Sequence, residues 1–539
     1  MRDRGPSQVQ FWLLALLIGI GAGFAAVGFR LGIGWIQRAI YGADDLTMAS
    51  TAVSLPAWIV ILSPILGGLA VGLILHHFTA DGRVRGVSDV IEGAALEGGR
   101  VEIRAGLASA VASLITLGTG GSSGREGPVV HLAGVISTAV ARRIKASPIT
   151  GRDLLGCAVA GAVAASFNAP IAGALFAHEV VLRHFAIHAF APIAIAAVAG
   201  TVINRSQFGG ITEFDLSQGT DLAFYVELPA FMILGLLCAL VAAAMMSAVF
   251  RADQAASHVM SRTGLPRWLR PAIAGALLGL IATQFPHIIG VGYETTAAAL
   301  SGQIGFWGAV IFAGVKALAV AITLGGRMGG GIFSPALVMG SLTGLAFGIV
   351  ATGLLPDVSG NVNLYALAGM GAVGAAVLGA PISTAMIVFE MTGDWQTGIA
   401  VMTAVSLSSA LASRLVHRSF FLTQLENRDV HVAEGPQVWL PQKMRITAVS
   451  RGLEDDGAPP QAVLVEMVRK GRALTDGMRL HEALAEFERT GAAFLPVIRP
   501  PDTEETDKTE PELTAIVYHV DALRALNQAL AETAAEEHG

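Results

Sequence analysis

Charge is what this sequence lacks. Only 14% of its 539 residues are charged, against about 25% in an average soluble domain. That shortage excludes an ordinary soluble enzyme, a disordered chain, which needs much charge and few apolar residues, and a nucleic-acid binder, which needs a basic face. Cysteine is as scarce. Cys157 and Cys238 are the only two, and both lie in apolar stretches. Neither a disulfide framework nor a cysteine metal cluster can be built from them, and buried thiols are expected. No small-residue cleavage site after the first apolar run leads into a soluble domain, so a cleavable signal peptide is not expected.

In place of charge the chain carries 53% hydrophobic residues and 64 glycines, with a mean hydropathy of +0.61. Uncharged runs span Phe11–Phe29, Ala57–Leu75, Leu228–Phe250 and Pro335–Pro356. A helix needs about 20 such residues to cross a bilayer's hydrocarbon core. The chain therefore reads as an all-α polytopic membrane protein. What charge there is gathers in the tail. From His431 onward, 11 lysines and arginines face 19 aspartates and glutamates, a net of −8, whereas the remaining 24 against 22 leave +2. An acidic soluble domain is expected to follow a nearly neutral membrane body. Basic loops face the cytoplasm. Arg2 and Arg4, Arg142, Arg143 and Lys145, and Arg414, Arg418 and Arg428 mark that side and place the tail there. Asp44, Asp45 and the Asp215–Asp221 region belong to the opposite face.

Two stretches of the membrane body resemble each other. Ile115-Thr116-Leu117-Gly118 opens a glycine-rich turn ending at Pro128, and Ile322-Thr323-Leu324-Gly325 opens one ending at Pro335, an offset of 207 at both ends. Ala169-Pro170-Ile171 leads to Glu179, and Ala380-Pro381-Ile382 to Glu390, each 211 residues apart. Transporter repeats of this kind are often inverted, with the substrate site where broken helices from the two halves meet. Each glycine turn runs into an uncharged helical stretch, Val129–Ala141 or Ala336–Val350. A helix start offers unpaired N–H groups and a positive dipole end, which favour an anion without any formal charge. Close helix packing alone would also explain the glycines, but not the charged pair Arg125-Glu126 in the first turn. An ionised side chain at that depth is expensive and marks function. A carboxylate at Glu126 could occupy the anion site itself and leave it on protonation.

These residues resemble the CLC family of chloride channels and chloride/proton antiporters. Gly124-Arg125-Glu126-Gly127-Pro128 is similar to the family's GREGP motif and Gly331-Ile332-Phe333-Ser334-Pro335 to its GxFxP motif. Phe167-Asn168-Ala169-Pro170-Ile171-Ala172-Gly173 and Phe389-Glu390-Met391-Thr392-Gly393-Asp394 match further family segments. The resemblance implies a CLC-like inverted repeat with broken helices in residues 1–428, its halves at about 56–205 and 228–415. It also implies a homodimer in the lipid bilayer with a pore in each subunit. Glu126 would be the gate. The anion would be held by the amides of Ile332 and Phe333 and by the helix start at Gly124, Arg125, Gly127 and Pro128. Three positions depart from the family. Val84-Arg85-Gly86-Val87-Ser88 stands where GSGIP is usual, putting Arg85 at the anion-contacting serine. Phe421 replaces the usual tyrosine, and Val180 follows Glu179 where proton-coupled members often carry a second carboxylate.

The tail, 429–539, resembles a small α/β CBS module. Ala473-Leu474-Thr475-Asp476, a Leu480–Thr490 helix, Phe494–Ile498 and Leu513–Val517 before Asp521-Ala522-Leu523 follow that pattern. A first module within His431–Lys470 is degenerate, and Pro500–Pro511 reads as a loop.

The function expected is passage of chloride or a related small inorganic anion, gated by Glu126 and weakly or not coupled to protons. Arg85 and Phe421 leave nitrate or bicarbonate open, with Arg85 either aimed inward at the anion or paired with Asp81 or Asp89. The alternative is a chloride/proton antiporter with a noncanonical proton path, for which Glu179 is the candidate, unless it shares with Glu390 a role in capping a helix or joining the halves. More remotely, Gly121-Ser122-Ser123-Gly124 fits an intramembrane serine protease, with His131, His178, His184 or His188 as base. No enzyme activity, cofactor, metal or nucleic-acid partner is otherwise expected.

Overall fold

The computed structural model describes residues 8–183, 187–209, 224–356, 359, 361–416, 418–432, 440–441, 444–455, 458–499 and 512–538. The chain divides into two compact units, Met1–His431 and Val432–Gly539. Arg2, Arg4, Asp215–Asp221, His184 and the Pro500–Pro511 stretch lie outside the described residues.

The first unit is helical. Among the described residues, seven helices are long and apolar enough to cross a membrane. The uncharged runs read from the sequence fall in four of them, Gln8–Tyr41, Ala57–Phe78, Val226–Thr263 and Phe333–Leu354. The polarity of their faces is that of a protein in lipid. Along Gln8–Tyr41 the small residues Gly19, Ala22, Gly23 and Ala26 are buried, while Leu17 and Phe24 are 63% and 60% exposed. Small residues let backbones approach where no water drives helices together. A Cβ on Gly19 would lie 2.5 Å from the Ala196 carbonyl oxygen, so the Ile187–Phe208 helix packs directly on that backbone.

The repeat is visible in how its elements end. Helices Pro148–Phe167 and Val362–Leu378 stop at Asn168 and Gly379, with φ of 57° and 67°. Asparagine and glycine are the residues that tolerate the left-handed cap. Helices Pro170–Phe176 and Pro381–Thr392 then begin with proline in the first turn, where its missing N–H costs nothing. The first of these continues as a π-helical segment, Ala177–Leu182.

The glycine turns meet. Gly124 and Gly331 form an isolated antiparallel bridge, each N–H donating to the other's carbonyl at 2.7 Å. Opposite chain directions at that contact are what an inverted repeat requires.

The second unit is a small α/β domain. Its sheet comprises β1 (Ser450–Arg451), β2 (Leu474–Thr475), β3 (Phe494–Arg499) and β4 (Glu512–Tyr518) in the order β1-β4-β3-β2. Strands β2 and β3 run parallel, joined by the helix Leu480–Thr490, and β4 runs antiparallel to β3. Leu480, Ala483 and Phe487 of that helix are buried with Leu495, Val497 and Val517 of the sheet. Residues before Lys470 supply the edge strand β1 and the helix Gln461–Arg469.

Candidate functional site

Two helices start at the glycine bridge, Glu126–Arg143 and Phe333–Leu354. Their first turns leave N–H groups unpaired. Glu126 lies in that gap and is only 3% exposed. Its Oε1 accepts a 2.6 Å hydrogen bond from Ser334 Oγ at the start of the opposite helix. Its Oε2 accepts none and packs against Gly124, where a Cβ would approach it to 2.7 Å. A carboxylate thus occupies a space bounded by both helix starts, where a small anion would otherwise be stabilised.

A cavity of about 270 Å³ has Gly127, Gly331 and Ile332, the chain neighbours of this gap, in its wall. Gly86, Val87, Ser88, Phe421 and Arg85 line it, so most of the residues singled out in the sequence converge here. Four arginines, Arg83, Arg85, Arg327 and Arg428, face two aspartates, Asp89 and Asp253, on its wall. Such a funnel raises the local anion concentration. Phe421 is buried edge-on against Phe420, whose ring stacks on Phe250. Phe333 points away from the cavity wall, packed 4.8 Å from the Phe167 ring and 6.3 Å from Phe176.

Arg85 is not aimed free into the cavity. Its Nη1 lies 2.8 Å from Asp81, its Nη2 3.0 Å from Glu102 and its Nε 4.0 Å from Asp89. Three carboxylates hold the fork. Arg125 is not part of the cavity lining. Its guanidinium sits 4.8 Å over the Tyr293 ring, and its Nη2 donates to the Ser166 carbonyl. Pro128 occupies the first turn of its helix, as the motif requires.

Glu179 and Glu390 form a crossed pair. Glu179 accepts the N–H groups of Ile382 and Ser383 at 2.9 and 2.7 Å. Glu390 accepts those of Ile171 and Ala172 at 3.0 and 2.8 Å. Each carboxylate caps the short helix of the other half, and both of its oxygens are used. Both oxygens of Glu179 thus serve the start of the Pro381–Thr392 helix. Val180 beside it is buried and apolar.

Two residues, Ser334 and Lys316, carry roles that the sequence alone does not show, and His131 stands apart from the base expected of it. Ser334, inside the second glycine motif, is the hydrogen-bond partner of Glu126. Lys316 is 0% exposed, and its Nζ donates to the carbonyls of Ile288 and Gly290 at 3.1 Å each. It thus anchors the turn that leads into Tyr293, on which Arg125 rests. A lone lysine in the apolar run Phe306–Gly325 was the available signal. His131 is 1% exposed and neither ring nitrogen makes a hydrogen bond.

A profile of the family described as voltage gated chloride channel matches residues 67–413. The chain belongs to that family. As a member of the CLC family it is an integral membrane protein, an anion channel or transporter and not an enzyme. A protein of Ralstonia nicotianae named as ClcB-like is 32% identical over 401 residues, 72% of this chain and 91% of that one. The Escherichia coli voltage-gated ClC-type chloride channel ClcB is 30% identical over 423 residues, 76% and 97% of the two chains. The fold is shared with a slow cyanobacterial Cl−/H+ antiporter at a TM-score of 0.68 and 20% identity, covering 79% of this chain and 99% of that one. It is shared too with a eukaryotic CLC transporter at 0.64 and 16%, covering 95% and 98%. The geometry also disposes of the protease. Ser122 and Ser123 are fully buried, and neither hydroxyl is hydrogen-bonded to a base.

Proposed function

We propose that this CLC protein passes chloride or a related small anion through a pore in each subunit of a homodimer, with Glu126 as the gate. The observation that carries the reading is the Glu126 carboxylate lying between the two helix starts, held by Ser334 at 2.6 Å on one oxygen only. The anion rises through the arginine-lined cavity past Ser88 and Phe421. It then needs the place that the carboxylate fills. Protonation removes the charge that competes with the anion, and the side chain swings out. The amides of Ile332 and Phe333 and the Gly124–Pro128 turn, including Arg125 and Gly127, then hold the anion. The arginine-rich face is cytoplasmic, and the 429–539 tail is a CBS-like domain on that side.

Coupling to protons is weak or absent in this reading. Val180 has no proton to exchange, and both oxygens of Glu179 are taken by backbone N–H groups. The test is chloride efflux from liposomes at several pH values. Glu126→Gln should keep flux and abolish its pH dependence. An unchanged pH dependence in a folded Glu126→Gln protein would sink the gate.

One observation favours the second reading, an antiporter with a noncanonical proton path. His131 lies five residues beyond Glu126 on the same helix, buried, with both ring nitrogens unbonded. Uphill proton movement driven by a chloride gradient, lost in His131→Phe, would establish it in place of passive flux.

A further inference from the structure

Beside the anion cavity lies a larger chamber of about 1080 Å³. It is formed by the end of the Ala57–Phe78 helix, the end of the Phe224–Thr263 helix and the turn that follows. Five arginines line it, Arg83, Arg267, Arg270, Arg327 and Arg428, against one carboxylate, Asp81. Some of that charge is spent. Arg270 and Arg327 share Asp253 at 2.8 and 3.5 Å, and Arg428 Nη1 lies 2.8 Å from Asp89. The rest is not. Arg83 and Arg267 make no side-chain hydrogen bond or ion pair among the described residues, whereas Arg428 Nη2 adds a 3.7 Å ion pair to Glu92.

We propose that this chamber binds a ligand bearing clustered phosphates, and that the bound ligand slows anion entry. A chloride ion is far too small for the space. Guanidinium forks match phosphate oxygens, two donors at a time. Trp268, Leu265 and Met260 supply an apolar wall on the same chamber, suited to the non-phosphate part of such a molecule. Leu73 and Leu265 nearby are 50% and 41% exposed, so an anionic lipid headgroup and a soluble polyphosphate both have access. Arg83, Arg327 and Arg428 line the anion cavity as well. A polyanion seated on them cancels the charge that draws chloride toward Gly127. The binding stands by itself; its effect on flux rests on the transport reading above.

Calorimetric titration of the full chain in detergent with inorganic tripolyphosphate, at constant ionic strength, should give one saturable site. Arg267→Gln should weaken it by about tenfold, the loss expected for one charge-assisted contact. Arg267 lines only the larger chamber, so the same variant should retain basal chloride flux. In phosphatidylcholine liposomes, tripolyphosphate added to the arginine face should lower flux. Phosphatidic acid in the vesicle should do the same without it if a lipid is the source, and only tripolyphosphate should act if the source is soluble. No saturable binding, equal affinity in wild type and Arg267→Gln, or binding that leaves chloride flux unaltered overturns the proposal. A chain that binds tripolyphosphate yet passes no anion at all would instead refute the transport reading.

Discussion

The two halves of the membrane unit agree at one pair of positions and differ at another. Glu179 and Glu390, 211 residues apart, do the same work, each capping the partner half's short helix. Glu126 and Phe333, 207 apart, do not. One places a carboxylate between the helix starts and the other buries an aromatic ring among Phe167 and Phe176. Symmetry in a repeat therefore reports scaffold, and its breaking reports chemistry.

The harshest way to break this comparison is to impose symmetry. Phe333→Glu puts an unpaired carboxylate into an aromatic pocket, a change expected to cost more than about 4 kcal/mol. Size-exclusion chromatography in detergent should show loss of folded protein, whereas Phe333→Leu should remain folded. Next come the crossed caps. Glu179→Gln and Glu390→Gln should each destabilise by about 1–3 kcal/mol, the cost of leaving buried donors poorly matched. Equal falls in the temperature of half-unfolding, with flux per folded molecule unchanged, would sharpen the symmetry. A change in proton coupling in Glu179→Gln alone would break it.

Ser334→Ala touches the asymmetric position. It removes a hydrogen bond to a charged group, worth about 1.5–3 kcal/mol, and should loosen Glu126 from its seat. Chloride flux should rise by up to about tenfold, and a fall would show that Ser334 serves the anion and not the gate. The smallest effect is expected at Arg85. With three carboxylates around it, Arg85→Ser should lower flux at low salt by about twofold. Permeability ratios among chloride, nitrate and bicarbonate should stay fixed at 1 M salt, where the Debye length is about 3 Å. Altered ratios would mean that the guanidinium contacts the anion.

Local features of this fold were legible in the amino-acid sequence. The apolar runs, the glycine turns and the amphipathic helix Leu480–Thr490 depend on period and residue type, which a chain displays directly. Partners distant along the chain were less so. That Glu179 and Glu390 share a role could be read from their equal spacing, but not which N–H groups they hold, since those lie over 200 residues away. Arg85 carried two readings because a long side chain can reach water or the pore equally well. Only the positions of Asp81, Asp89 and Glu102 decide between them. Ser334 stayed hidden because serine carries no special signal until an acceptor is placed beside it.

The Gly124–Gly331 bridge has a consequence for how such a protein can diverge. Its two hydrogen bonds run between main-chain atoms, so a substitution reaches them only through space or through proline: a Cβ on Gly124 would lie 3.2 Å from the Gly331 carbonyl oxygen that closes the bridge. Either turn can drift in sequence, as Arg125-Glu126 and Ile332-Phe333 already have, while the ancestral joint persists. A doubled chain seamed in this way can specialise one copy without parting from the other.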